Sequence, residues 1–272
     1  RNQMLAFDPP GFGDGATVGG VVASGLSGPR RAAAGAVRDF VLGVRIVDGR
    51  GDDLRFGGTV MKNVAGFDVS RLVAGSLGTL GLITEVSLKV LPVPVADLTL
   101  RMEMPQDKAI ETLNKWGGKP LPIVASCHEN DVLTVRLAGA AAAVKSARER
   151  LGGEAVADAD VFWLTLREQA HMFFADGGPL WRLAVPSVTP PLALPGDQLM
   201  EWGGSLRWLK SSADARTIRE AVAKVGGHAT LFRGGDKSVG VFHPLAPAIA
   251  KLTRHVKAAM DPHGILNRGR LY

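Results

Sequence analysis

The order of hydrophobic and polar positions changes character near Pro92 and Pro94. Before them, residues 40–47 form a nearly unbroken apolar run of strand length, which predicts a buried strand. Asp48-Gly49-Arg50-Gly51 has turn chemistry, and residues 53–56 predict the returning strand. Residues 68–74 predict a short helix that stops at Gly75. From Leu82 the pattern alternates, with Val86, Leu88 and Val90 on one face and Glu85, Ser87 and Lys89 on the other. Residues 8–35 are rich in Gly, Ala and Ser, with little periodicity, and read as loop, tight turn and short helix.

The two prolines favour extended backbone and mark a domain junction. Beyond it, Leu98, Leu100, Met102 and Met104 alternate with Thr99, Arg101 and Glu103, the pattern of a half-buried strand. Helices are predicted over 106–116 and 140–151, each closed by a Gly-Gly pair, with strands at 123–127 and 132–137 between them. This β-α-β-β-α order is that of a split βαβ unit. A third helix is predicted over 161–174, strands near 181–185 and 206–210, and a helix over 214–225 with Asp214 at its start. A last strand and a helix over 245–260 follow. Leu245, Ile249, Leu252 and Val256 form one stripe of that helix, with Lys251, Arg254 and Lys257 off it. No internal repeat of fixed period occurs. The elements predict an α+β chain.

Composition narrows this picture. Of 272 residues, 46% are hydrophobic and 21% charged, which is ordinary for a globular chain and places it outside the disordered class. The net charge of +6 raises nucleic acid as a partner, but the basic residues are scattered and there is one tyrosine, so no stacking platform is evident. Cys127 is the sole cysteine, which rules out an internal disulfide and any cysteine-held iron–sulfur or zinc centre. It also fits a reducing, cytoplasmic compartment. The longest uncharged apolar stretch, from Leu72 to Thr84, is too short to span a bilayer.

Two glycine-rich stretches carry the candidate chemistry. Residues 13–25 contain Gly13, Gly15, Gly19, Gly20 and Gly25, with Thr17 and Ser24 as hydroxyl donors. Bare backbone N–H groups of this kind can face a phosphate, although a glycine-rich turn with no ligand has the same composition. In the second stretch, Gly75, Gly78 and Gly81 recur at every third position, where backbone can lie against a planar ligand or simply connect packed elements. The Rossmann pattern fails because Val18 stands where its third glycine belongs, and the P-loop fails because Lys62 is followed by Asn63. His228, after Gly226-Gly227, is the one candidate catalytic side chain. Arg182 and Arg207 have the chemistry to pair with a carboxylate, but a solvated strand face is the default for each. Trp202 and Trp208 read as core or subunit interface rather than as a cofactor site.

The motifs Gly-Ala-Thr-Val-Gly-Gly (15–20), Val-Arg-Asp-Phe-Val-Leu-Gly (37–43), Lys-Asn-Val-Ala-Gly-Phe-Asp (62–68), Gly-Ser-Leu-Gly-Thr-Leu-Gly-Leu-Ile-Thr-Glu (75–85) and Asp-Pro-His-Gly-Ile-Leu-Asn-Arg-Gly-Arg-Leu (261–271) come in order. Together they resemble the FAD-binding proteins of the vanillyl-alcohol oxidase and para-cresol methylhydroxylase type. A narrower likeness, carried by residues 28–31, 60–66, 202–210 and 226–230, is to the FAD-binding subunits of glycolate oxidases. The resemblance implies a flavin domain from residues 1–94, a cap domain with an antiparallel sheet from 95–240, and a segment 241–272 that returns to the flavin domain. It implies FAD held by Gly15, Ala16, Thr17, Gly19, Gly20, Ala23, Ser24, Gly25, Gly78, Gly81, Ile83 and Asn267, with no metal. Arg268 stands where the family usually has proline after that asparagine. The family's first glycine-rich lobe lies upstream of anything matched here, so the expectation is a fragment lacking roughly half of the phosphate donors.

The resemblance further implies an FAD-dependent oxidoreductase that oxidises glycolate, a small 2-hydroxy acid, to glyoxylate by hydride transfer to the flavin. The alternative is a non-catalytic FAD-binding or scaffold subunit beside a catalytic sister flavoprotein. Expected partners are that sister subunit and an iron–sulfur subunit, with no nucleic acid. The expected location is the cytoplasm, with peripheral attachment of the complex to the inner face of the cytoplasmic membrane.

Overall fold

A computed structural model describes residues 1–60, 67–175 and 177–271. The chain divides into two compact units, Arg1–Val93 with Pro244–Tyr272, and Pro94–His243.

The first unit runs β1 (Gln3–Met4), α1 (Val18–Ser24), α2 (Arg31–Ala34), β2 (Val41–Val47), β3 (Asp53–Gly57), α3 (Val69–Val73), β4 (Leu82–Leu88) and β5 (Leu91–Pro92). β2 is the centre of an antiparallel sheet ordered β3-β2-β4, and β1 pairs with β5. The apolar run of β2 explains its central place: Val41, Val44 and Ile46 are buried with Phe7, Val22, Phe40 and Val73 in one core. The β2–β3 turn is closed by the Asp48 carboxylate, which accepts from the backbone N–H of Arg50 at 2.8 Å and of Asp52 at 3.0 Å. Asp68 caps α3 by accepting from Arg71 N at 3.1 Å.

The second unit runs β6 (Ala96–Glu103), α4 (Gln106–Gly117), β7 (Ile123–Glu129), β8 (Val132–Gly139), α5 (Ala141–Leu151), β9 (Glu154–Ala155), α6 (Ala159–Arg167), β10 (Leu180–Ala184), β11 (Asp197–Glu201), β12 (Leu206–Lys210), α7 (Ala215–Lys224) and β13 (His228–Arg233). Its strands form one antiparallel sheet in the order β13-β10-β12-β11-β7-β8-β6-β9. β8 lies between β6 and β7, which is the split arrangement that the element order predicted. Alternate residues of β12 divide between two cores. Leu206 and Trp208 join an aromatic cluster with Trp163, Phe173, Phe174 and Trp202, whereas Leu209 packs with Ile218 and Val222 of α7. A third cluster joins Leu100, Leu133 and Leu137 to Ile110 of α4 and Val144 of α5. The last helix, α8 (Pro247–Met260), belongs to the first unit.

Three features depart from the sequence reading. The helix predicted over 161–174 stops at Arg167. Gln169 takes φ 54, and the N–H groups of Ala170 and His171 both donate to Thr165 O, so the backbone closes the helix with no glycine or proline to announce it. Arg207 has no solvated face: it is fully buried, donating to Gly204 O at 3.2 Å, to Pro190 O at 2.7 Å and to Thr189 O, and burial lowers its pKa to about 10. Ile249 and Leu252 are exposed on α8 and Leu245 is exposed ahead of it, while Val256, Lys257 and Met260 are half-buried. Polar anchors set that rotation: Arg50 Nη1 donates to Ala259 O at 3.0 Å, and Lys257 reaches three oxygens beneath the helix.

Candidate functional site

The first glycine-rich stretch crosses exposed backbone into α1. Thr17 caps the helix, its Oγ1 accepting from Gly20 N at 3.0 Å. Gly15, Ala16, Thr17 and Gly20 are exposed, and Gly19 is half-buried. Among the described residues a Cβ on Gly15 would meet nothing within 4 Å, so their packing does not demand glycine there, and the backbone stands clear of them. Ser24 Oγ donates to Val21 O at 3.0 Å, so its hydroxyl proton is taken up by the helix.

The second stretch closes against the first. Gly75 N donates to Val22 O at 2.9 Å, and Leu77 N donates to Ala23 O at 2.8 Å. Gly25 ends α1 with φ 68, and a Cβ there would stand 2.6 Å from Gly75 Cα. On the other side of α1, a Cβ on Gly19 would lie 3.7 Å from the Cβ of Ile83, at the start of β4. Gly78, with φ 71, faces the C-terminal turn: a Cβ there would be 2.9 Å from Nδ2 of Asn267. That amide donates to Leu77 O at 2.5 Å. The fold therefore brings Gly25 against Gly75, Gly19 against Ile83, and Gly78 against Asn267 within the first unit. Gly81 differs from them, since it is buried and a Cβ there would be 2.9 Å from Ile46 Cδ1. Packing against β2 is sufficient reason for that glycine. Residues 62–66 of the third motif lie outside the described residues.

Sequence reasoning missed two side chains here. Asp261 is buried and accepts from Ile265 N at 3.0 Å, Leu266 N at 2.8 Å and Lys257 Nζ at 2.5 Å. Burial alone would raise its pKa, but the ammonium and the two N–H groups outweigh that and hold it down at about 2. The usable signal was the Lys–Asp pair four residues apart at a helix end.

His228 lies in the second unit, on β13, opposite Ala184. Burial first, then the charges of Arg182 and His243, lower its pKa, so its ring is neutral at pH 7. Among the described residues, no three of His, Cys, Asp and Glu converge as a group able to hold a metal ion. No described helix is long and apolar enough to cross a membrane.

Residues 1–57 match the FAD binding domain family. The glycolate oxidase subunit GlcE of Escherichia coli (strain K12) is 51% identical over 270 residues, which covers 99% of this chain and 76% of GlcE. This chain belongs to the GlcE family of glycolate oxidase subunits. The GlcE-type chain is also similar, over shorter stretches, to glycolate oxidase subunit GlcD of Bacillus subtilis (strain 168), with 43% identity over 31% of this chain and 18% of GlcD. It is 42% identical to a D-lactate dehydrogenase of Anaerostipes hadrus over 37% of this chain and 21% of the relative. Alkyldihydroxyacetonephosphate synthase shares its fold, with a TM-score of 0.63 at 15% identity over 98% of this chain. The chain spans 60% of that synthase's length.

The cofactor of the GlcE-type chain is FAD. The exposed, side-chain-free backbone at Gly15 is compatible with a flat dinucleotide at that point. The same match corrects the expectation that this chain is itself the oxidising enzyme: the relative that is 51% identical to it is named as a subunit of glycolate oxidase.

Proposed function

We propose that this chain is a non-catalytic FAD-binding subunit of a glycolate oxidase, supporting a sister flavoprotein that oxidises the 2-hydroxy acid. The observation that carries the reading is the 51% identity to GlcE along 99% of the chain, joined to a glycine-lined surface in the first unit. In this reading Gly15, Ala16, Thr17, Gly19, Gly20, Ala23, Ser24 and Gly25 lie along the flavin and its phosphates, Gly78 and Ile83 along the nucleotide with Gly81 packed beneath them against β2, and Asn267 near the ring. The ring carries the redox chemistry when FAD is bound; the chain supplies N–H donors and keeps side chains out of its path. The second unit acts as the cap domain. The partners are a GlcD-type flavoprotein and an iron–sulfur subunit, in a cytoplasmic complex that attaches peripherally to the membrane.

Glycolate added to the full-length protein, purified alone and loaded with FAD, tests the reading by the flavin absorbance. The band is expected to stay oxidised, and to bleach once the GlcD-type partner is added. Bleaching by glycolate with no partner present would overturn the non-catalytic role.

A further inference from the structure

Lys257 and Asp261 have no part in the reading above, yet they join the loop bearing Gly78 to the turn bearing Asn267. All three hydrogens of the Lys257 ammonium are engaged: with Thr79 O at 2.7 Å, with Leu266 O at 2.9 Å and with Asp261 Oδ2 at 2.5 Å. Thr79 follows Gly78, and Leu266 precedes Asn267, so one side chain links the two loops next to both candidate residues. Asp261 in turn fixes the C-terminal turn through the N–H groups of Ile265 and Leu266. The β2–β3 turn closes the arrangement from the far side. Gly49 N donates to Met260 O at 2.9 Å, and a Cβ on Gly49 would fall 2.3 Å from Asp261 Oδ1.

Asn267 needs such support. It is exposed and takes φ 38, and its neighbour is Arg268, whose backbone is not locked by a ring. A buried ion pair is by itself a poor source of stability, because desolvation offsets the attraction. Here the charges hold two backbone carbonyls in register, which is the work of a support that orients contact groups.

We propose that Lys257 and Asp261 are positioning residues of the FAD site, which lock the turn bearing Asn267 against the loop bearing Gly78 before the cofactor arrives. The proposal rests on the reading that FAD lies along this surface. Preorganisation of this kind strengthens binding by removing the ordering that binding would otherwise require.

The test is a double-mutant cycle on the full-length protein, with FAD affinity read by flavin fluorescence and folding read by the thermal midpoint of the cofactor-free protein. Lys257→Met and Asn267→Ala are each expected to weaken FAD binding, the first by about tenfold or more. The double variant is expected to bind no more weakly than the poorer single variant, because both changes remove the same oriented amide. Lys257→Arg is expected to recover part of the loss. Losses that multiply, or an unchanged affinity in Lys257→Met, would overturn the proposal while leaving the FAD reading intact. A wild-type protein that binds no FAD would overturn both. If Lys257→Met does not fold, the same cycle run with Asp261→Asn decides by the same outcomes.

Discussion

Replacing Gly25 by alanine separates the packing of the glycine surface from its use by a cofactor. Gly25 has φ 68 and ψ 12, and alanine held there carries a strain of about 1–2 kcal/mol. The added Cβ would stand 2.6 Å from Gly75 Cα and 3.1 Å from Gly75 N. These are backbone atoms of a segment bonded to α1 at Val22 O and Ala23 O, so they cannot swing aside as the end of a side chain would. Shifting that segment adds about 1–3 kcal/mol. The total of about 2–5 kcal/mol corresponds to a fall of roughly 8–20 °C in thermal midpoint, at about 4 °C per kcal/mol for a unit of this size. The assay is thermal unfolding of the cofactor-free protein, with Gly15→Ala measured beside it. Gly15 has no left-handed φ and no neighbour within 4 Å of its Cβ position. Its alanine variant is therefore expected to unfold within about 0.5 kcal/mol of wild type, yet to hold FAD less tightly. A Gly25→Ala midpoint within about 2 °C of wild type would refute the packing argument. Full FAD affinity in Gly15→Ala would refute the placement of the cofactor.

Arg207→Met strips donors from three carbonyls in the second unit and is expected to cost about 2–4 kcal/mol in urea unfolding, with Arg207→Lys failing to rescue it because an ammonium lacks the planar fork; a loss below about 0.5 kcal/mol would contradict this. Asp261 has its folded pKa held at about 2, below its ordinary 3.8, so the unfolded chain takes up that proton first as the pH falls. Its contribution is complete above about pH 5 and drains away between about 4 and 2, so the midpoint gap between wild type and Asp261→Asn should be level near neutrality and close in acid. The His228 ring should titrate below 6.5 by NMR, since burial, Arg182 and His243 all disfavour its charged form, and a midpoint above that value would be inconsistent with its surroundings.

The sequence revealed most where periodicity and punctuation agreed. The apolar run of β2, the Asp48–Gly51 turn, the Gly-Gly stops after α4 and α5, and the Asp214 cap of α7 all appear in the structure at or within two residues of their predicted places. β11 went unseen because five residues with Asp197 and Glu201 at its ends show no alternation long enough to register. The end of α6 was hidden because Gln169 adopts a conformation usually announced by glycine. In the candidate site, glycine spacing marked the surface but could not separate Gly81, which β2 requires, from Gly15, which no described residue requires. The Lys257–Asp261 support was legible only as a pair at helical spacing. Its reach to Thr79 depends on a contact spanning most of the sequence, and no local pattern encodes that.

The division of the first unit into Arg1–Val93 and Pro244–Tyr272 has a consequence for biosynthesis. The inserted unit is continuous and can fold as soon as it clears the ribosome, whereas the flanking one must wait for its final helix and turn. At about 5–20 residues per second, translation of the insertion alone leaves the early strands without that closing piece for roughly 8–30 s. During that interval the core of the first unit lacks Met260, so nascent chains stalled or truncated before Lys257 should depend on chaperones far more than chains that carry α8.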